Sequence, residues 1–247
     1  MTMMILLFVA ALWAGAQNAL AGGGSFITLP VLILSGLDPR AANIASTVAL
    51  FPGQVFTGLA GRKMVSGTKS LPFAALFALS IVGGAVGGIL LLATSESFFA
   101  SLVPWLVLFA TTMFGWGSFG PKTATSTKDL GLWGTAFAQF MIAIYGGYFG
   151  GGIGFLMLAA LTMAGLPVRN AGATKNMLAG VMNASAVAIF IYSSPIAWER
   201  VLVLGIGAIL GGQLGVWMLK RVNERLLRIG IVAIGILLTI GLFIRSH

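Results

Sequence analysis

Eight apolar stretches divide the chain, at residues 3–35, 42–60, 71–93, 98–119, 131–164, 171–194, 198–219 and 227–244. About 20 residues of helix cross the hydrocarbon core of a bilayer, so six of the stretches predict one membrane helix each. The first and fifth are about 33 residues long, and glycines interrupt each of them about two thirds of the way along. The polar, Ser/Thr/Lys-containing connector at 120–130 falls between the fourth and fifth stretches. The pattern predicts an all-α polytopic membrane protein with two homologous halves, 1–119 and 131–247, of about four apolar segments each.

The glycine breaks are copies of one another. ALAGGGSFITLPVLILSGLDPR around Gly22 and Gly23 is answered 129 residues later by YFGGGIGFLMLAALTMAGLPVR around Gly151 and Gly152. A second motif, Gly-Gly-x-x-Gly, occurs at Gly83–Gly87 and again at Gly211–Gly215, 128 residues apart. Two independent motifs at nearly one separation indicate an internal duplication. Interrupted apolar segments at matching places in two halves are a pointer to a transport site.

Composition fixes the class. With 58% hydrophobic and 8% charged residues, and a mean hydropathy of +1.03, the chain has too little polar surface for a soluble globule. The net charge of +9 lies in short Lys/Arg runs between apolar stretches, as in cytoplasmic loops, and predicts no nucleic-acid partner. Cysteine is absent, which excludes disulfides, thiolate metal sites and redox dithiols. The N-terminal segment lacks a basic n-region and is expected to be retained as the first membrane segment.

Counting charge decides how the fifth stretch crosses. If all eight stretches cross once, seven basic residues fall on the side of the N-terminus and six on the other. If 131–164 instead folds back, ten, including Arg62, Lys63, Lys69 and Arg169, share one side and three, Arg40, Arg200 and Arg245, share the other. The second arrangement satisfies the positive-inside rule. Duplication extends the fold-back to 3–35, giving an inverted repeat.

The candidate site gathers at the breaks. A helix is interrupted in hydrocarbon only where protein or a watery cavity covers the free backbone groups. Gly22, Gly23 and Gly24, with Ser25, and Gly151 and Gly152 therefore either pack helices closely or start short helices whose free N–H groups, at Phe26 and Phe155, face a cavity and suit an anion. Lys175 opens the sixth stretch, where an ammonium either lines a cavity or snorkels to the interface. Asn176 and Asn183 share its face, and their counterparts, Ser46, Thr47 and Gln54, form an equivalent polar stripe in the first half. Arg40 and Arg169 follow the two broken segments and are candidates for the cavity mouths or for interfacial anchors. Gly83/Gly87 and Gly211/Gly215 read as packing faces. The five acids lie in predicted loops or at stretch ends and the one histidine is His247. The site therefore predicts no metal, no cofactor and no enzyme machinery.

Gly22 to Pro30, then Leu166 to Arg169 followed by Ala-Thr-Lys-Asn at 173–176 and a further Asn183, together resemble the TauE/SafE family of bacterial membrane transporters. The resemblance covers both halves. It implies an inner-membrane permease of the bacterial cytoplasmic membrane that exports sulfite or a small organosulfonate. It also implies a site built from Gly22, Gly23, Gly24, Ser46, Thr47, Gly151, Gly152, Lys175 and Asn176. The halves differ where Pro30 stands opposite Ala159 and Ser46-Thr47 opposite Lys175-Asn176. The expectation is alternating access around a small anion, with the lipid bilayer as partner and the choice between a single chain and a homodimer left open. Coupling is left open between the substrate's own protonation, a weak cation site and none. A membrane assembly factor that binds partner helices through its glycine faces, and an intramembrane enzyme, are the rival readings.

Overall fold

The computed structural model describes residues 2–20, 23–119, 130–218 and 224–246. The predicted connector at 120–130, apart from Leu130, and Gly22 lie outside the described residues. Those described are helical in α1 (Thr2–Leu20), α2 (Ser25–Leu34), α3 (Pro39–Ala60), α4 (Phe73–Ala93), α5 (Glu96–Phe119), α6 (Gly131–Tyr148), α7 (Ile153–Met163), α8 (Val168–Ser193), α9 (Trp198–Met218) and α10 (Glu224–Ser246). Both long stretches are thus a full helix followed by a short one, α1 with α2 and α6 with α7. The protein is an all-α membrane protein. Large apolar and aromatic side chains such as Trp116, Trp133 and Tyr192 face outward from it, as they do against lipid.

Local chemistry sets the helix ends. Asp38 caps α3 by accepting from the N–H groups of Arg40 (3.0 Å) and Ala41 (2.9 Å), with Pro39 in the first turn. Left-handed glycines close the broken segments in matched pairs. Gly23 (φ 85°) and Gly152 (φ 75°) open the two short helices, and Gly36 (φ 93°) and Gly165 (φ 84°) end them. Each pair is separated by the 129 residues of the sequence repeat. Only glycine takes this backbone conformation without a steric penalty.

The halves interlock. The first helix of each packs on the helix that carries the Gly-Gly-x-x-Gly motif of the other, α1 on α9 and α6 on α4. On α4, Gly83 faces Phe140 to Ile144 of α6, and Gly87 faces Ile144 to Tyr148. These helices therefore run in the same direction. A Cβ on Gly87 would collide with the carbonyl of Ile144, and one on Gly211 of α9 with that of Leu12. Short α2 leans on α10 and short α7 on α5, while α3 and α8 meet at the centre.

Contacts also order the ends of the bundle. Arg40 donates to the Thr94 carbonyl (2.8 Å) and pairs with Glu96 (2.9 Å) at the α4–α5 turn. At the opposite end, Asn170 donates to the Met64 carbonyl (3.0 Å), and the Thr174 hydroxyl exchanges hydrogen bonds with the backbone of Ser66. Gly165 lies beside the Lys69 stem. Arg169 is consequently at the same end as Arg62, Lys63 and Lys69, the placement that the fold-back of 131–164 requires and that a single crossing would forbid.

Candidate functional site

The two breaks and the centres of α3 and α8 surround one cavity of about 70 Å³. At that volume it holds a few waters or one small ion. Its walls include Gly23, Gly24 and Ser25 from the first break, Gly150, Gly152 and Gly154 from the second, and the stripes Ser46, Thr47, Gln54 and Lys175, Asn176, Asn183. The spacing explains why one face of each helix is polar. Thr47, Leu50, Gln54 and Thr57 on α3, and Lys175, Ala179 and Asn183 on α8, recur every three or four residues.

Side chains satisfy the opened backbone. Gln17 donates to the Gly23 carbonyl (3.1 Å), and the Thr28 hydroxyl reaches both the Gly24 carbonyl (3.3 Å) and the Ser46 hydroxyl (2.6 Å). The second break is held by the other half, where Asn43 donates to the Tyr148 carbonyl (3.0 Å). Each interruption is thereby covered by protein polar groups.

The remaining hydrogen-bonding capacity is of both kinds, and Lys175 alone adds charge to it. Thr47 and Thr57 donate to the carbonyls one turn back, at Asn43 (2.9 Å) and Gly53 (2.8 Å). Asn183 donates to Gln54 Oε1 (2.6 Å), which leaves the Gln54 amide nitrogen as a donor. Lys175, Asn176, Asn18 and Ser25 form no side-chain hydrogen bond or ion pair among the described residues, although all line the cavity. The Lys175 ammonium lies 3.6 Å from the position of a Cβ on Gly154, in the first turn of α7. A helix N-terminus carries roughly half a positive charge, so cation and dipole here add rather than cancel. Among the described residues the lining has no carboxylate to neutralise them. The arrangement favours a small anion at their meeting point.

Not every expected residue reaches this cavity. The short helices start at Ser25 and Ile153, one and two residues before the expected positions. The N–H groups of Phe26 and Phe155 are consequently not free. They donate to the Gly23 (3.0 Å) and Gly152 (3.2 Å) carbonyls, because a left-handed glycine tightens the first turn. The Phe155 ring stacks edge-on against Phe114 at 4.4 Å, and Phe26 lies in the apolar core beside a small crevice that it shares with Gly151. Arg40 is held by the α4–α5 turn, and Arg169 is exposed at the start of α8; neither lines the cavity. The sequence reading did not choose Thr57 or Gly154; it counted Gly150 in the second break and Asn18 as preceding the first, without placing either among the binding residues. Thr57 continues the α3 stripe by one turn, and Asn18 is one of two adjacent amides, with Gln17, in an otherwise apolar helix before the break, so both carried a usable signal.

A bundle of membrane helices folded around a central, polar, mid-helix cavity is the architecture of a polytopic membrane transporter. Residues 7–242 match the sulfite exporter TauE/SafE family, and the chain belongs to that family. It is similar to a probable membrane transporter protein of Haemophilus influenzae, at 27% identity over 96% of this chain and 93% of the relative. It is also similar to the probable membrane transporter protein ORF9 of a Sinorhizobium species, at 28% identity over 96% of this chain and 90% of the relative. The probable membrane transporter protein YfcA of Escherichia coli K12 is 26% identical over 98% of this chain and 90% of its own length.

Proposed function

We propose that the protein is a permease that moves a small oxyanion, sulfite or a short organosulfonate, out across the bacterial cytoplasmic membrane by alternating access. The observation that carries this reading is the unpaired Lys175 ammonium, held by α8 against the first turn of α7 among the amides of Asn18, Gln54 and Asn176, with no carboxylate in the lining among the described residues. A sulfite or sulfonate head presents three oxygens to such a set, and charge-assisted hydrogen bonds are the strong ones. The cavity of about 70 Å³ suits the head group and leaves any organic tail outside it.

The same geometry supports the inverted repeat. Gln54 and Asn183 are counterparts at 129 residues and hydrogen-bond to each other, and a pseudo-two-fold axis brings counterparts together in this way. The two halves offer the cavity different chemistry, hydroxyls from α3 and a cation from α8. The assembly-factor reading is weakened because the faces of Gly83, Gly84 and Gly87 and of Gly207 and Gly211 are used within the fold.

Thermal stabilisation of the purified protein across a panel of anions tests the proposal, since a ligand stabilises the state that binds it. Sulfite and short sulfonates raise the melting temperature of the wild type and leave Lys175→Met unmoved. Equal stabilisation of both proteins, or none with any anion, sinks the assignment.

A further inference from the structure

The two halves of the molecule differ at one pair of related seams. Where α4, α6 and α8 meet, the backbones are in contact. A Cβ on Gly84 would strike the Met182 carbonyl and stand 2.6 Å from Ser185 Oγ, and one on Gly147 would strike the Gly84 carbonyl. A buried hydrogen bond from Gln139 to Ser80 (2.8 Å) further fastens this seam. The repeat maps Gly84, Gly147, Met182 and Ser185 onto Gly212, Asn18, Gly53 and Phe56, where α9, α1 and α3 meet. All four of these line an open cleft of about 400 Å³. A Cβ on Gly53 would touch nothing within 4 Å, and one on Gly212 only the Gly15 carbonyl at 3.8 Å.

The cleft and the anion cavity share Asn18, Leu50 and Thr57 in their walls, so they adjoin. Along α3 the cleft extends from Leu50 to Ala60, toward the end that carries Arg62, Lys63, Lys69 and Arg169. The closed seam runs the other way, to Gly88 against Ala186 and Phe190, toward the end where Arg40 holds the α4–α5 turn.

We propose that the α1/α3/α9 cleft is the substrate's access route from the basic, cytoplasmic end of the bundle, and that the α4/α6/α8 seam is the matching route to the opposite face, shut in this state. This rests on the anion-permease reading. Transport exchanges the two arrangements: Gly53, Asn18 and Phe56 close on Gly212, while Met182, Gly147 and Ser185 part from Gly84. Small residues are what permit either seam to shut, because they let backbones meet. The polar–apolar mismatch between Asn18 and Gly147, and the bulk of Phe56 against Ser185, give the two seams different closed packings and favour the present state over its exchange partner.

The chain has no native cysteine, so single thiols report on each seam. Gly53→Cys and Phe56→Cys, both in open space, and Ser185→Cys are to be treated with a membrane-impermeant, sulfonate-bearing thiol reagent from either face of oriented vesicles. A minor state populated at or below about 10% predicts that the two cleft thiols react roughly tenfold or more faster from the Lys69 face. Ser185→Cys reacts only from the Arg40 face, and faster when sulfite is present on the Lys69 side. Modification of either cleft thiol stops sulfite flux. Equal reaction of the cleft thiols from both faces, or reaction of Ser185→Cys from the Lys69 face, overturns the proposal. Flux that persists after complete modification overturns the route and leaves the anion reading standing. Absence of flux of sulfite and short sulfonates in the cysteine-free wild type overturns the anion reading itself.

Discussion

At the scale of single residues, the site is a set of amides and hydroxyls held around one cation. Gln54 and Asn183 do not supply charge; they fix the geometry by bonding to one another across the centre. Asn183 is almost wholly buried, and its Oδ1 has no partner among the described residues, so its amide group depends on Gln54. Gln54→Ala strands that amide, and an unsatisfied buried polar group costs about 1–3 kcal/mol. The expected outcome is a melting temperature lowered by several degrees, measured by thermal unfolding in detergent. Gln54→Asn, which keeps an acceptor, loses less. The polar stripes were legible in the sequence because duplication placed Gln54 opposite Asn183 and Ser46-Thr47 opposite Lys175-Asn176. It was not legible that Thr47 spends its proton on Asn43, since that depends on the rotamer inside the finished helix.

At the scale of elements, the glycines divide by what stands beside them. Gly87 lies against the backbone of Ile144, whereas Gly53 faces open space. Gly87→Ala must push α4 and α6 apart, and overpacking of this kind costs about 1–3 kcal/mol. Gly53→Ala meets nothing and leaves the melting temperature within experimental error of the wild type. A comparable loss in both variants would show that the seams are alike and would contradict the difference between them. Helix existence was readable from hydropathy because six of the eight apolar stretches match a bilayer span. The interruptions were readable because glycine runs recur in register. The helix starts were misjudged by one or two residues: the left-handed turns at Gly23 and Gly152 draw the Phe26 and Phe155 N–H groups into local bonds, and a φ angle is not written in the residue order. The free donors at α7 belong instead to its first turn, where Lys175 reaches Gly154.

At the scale of the whole molecule, two halves wound through each other place both breaks and both polar stripes around one cavity. Charge counting anticipated the arrangement of the second half, since only a fold-back of 131–164 brings Arg169 to the end occupied by Lys69, and the contacts of Asn170 and Gly165 place it there. The interlocking of α1 with α9 and of α6 with α4 was beyond the sequence. A packing face declares that it is close-packed, but not against which helix. The central claim is that this shared cavity carries a small oxyanion on the Lys175 ammonium. Radiolabelled sulfite and a short sulfonate, followed into proteoliposomes, test it most directly. The wild type is expected to show saturable flux of at least one of them, and Lys175→Met, folded and with an unchanged melting temperature in the absence of ligand, to lose about tenfold or more, the equivalent of one charge-assisted hydrogen bond. Equal flux through the two proteins would contradict the account.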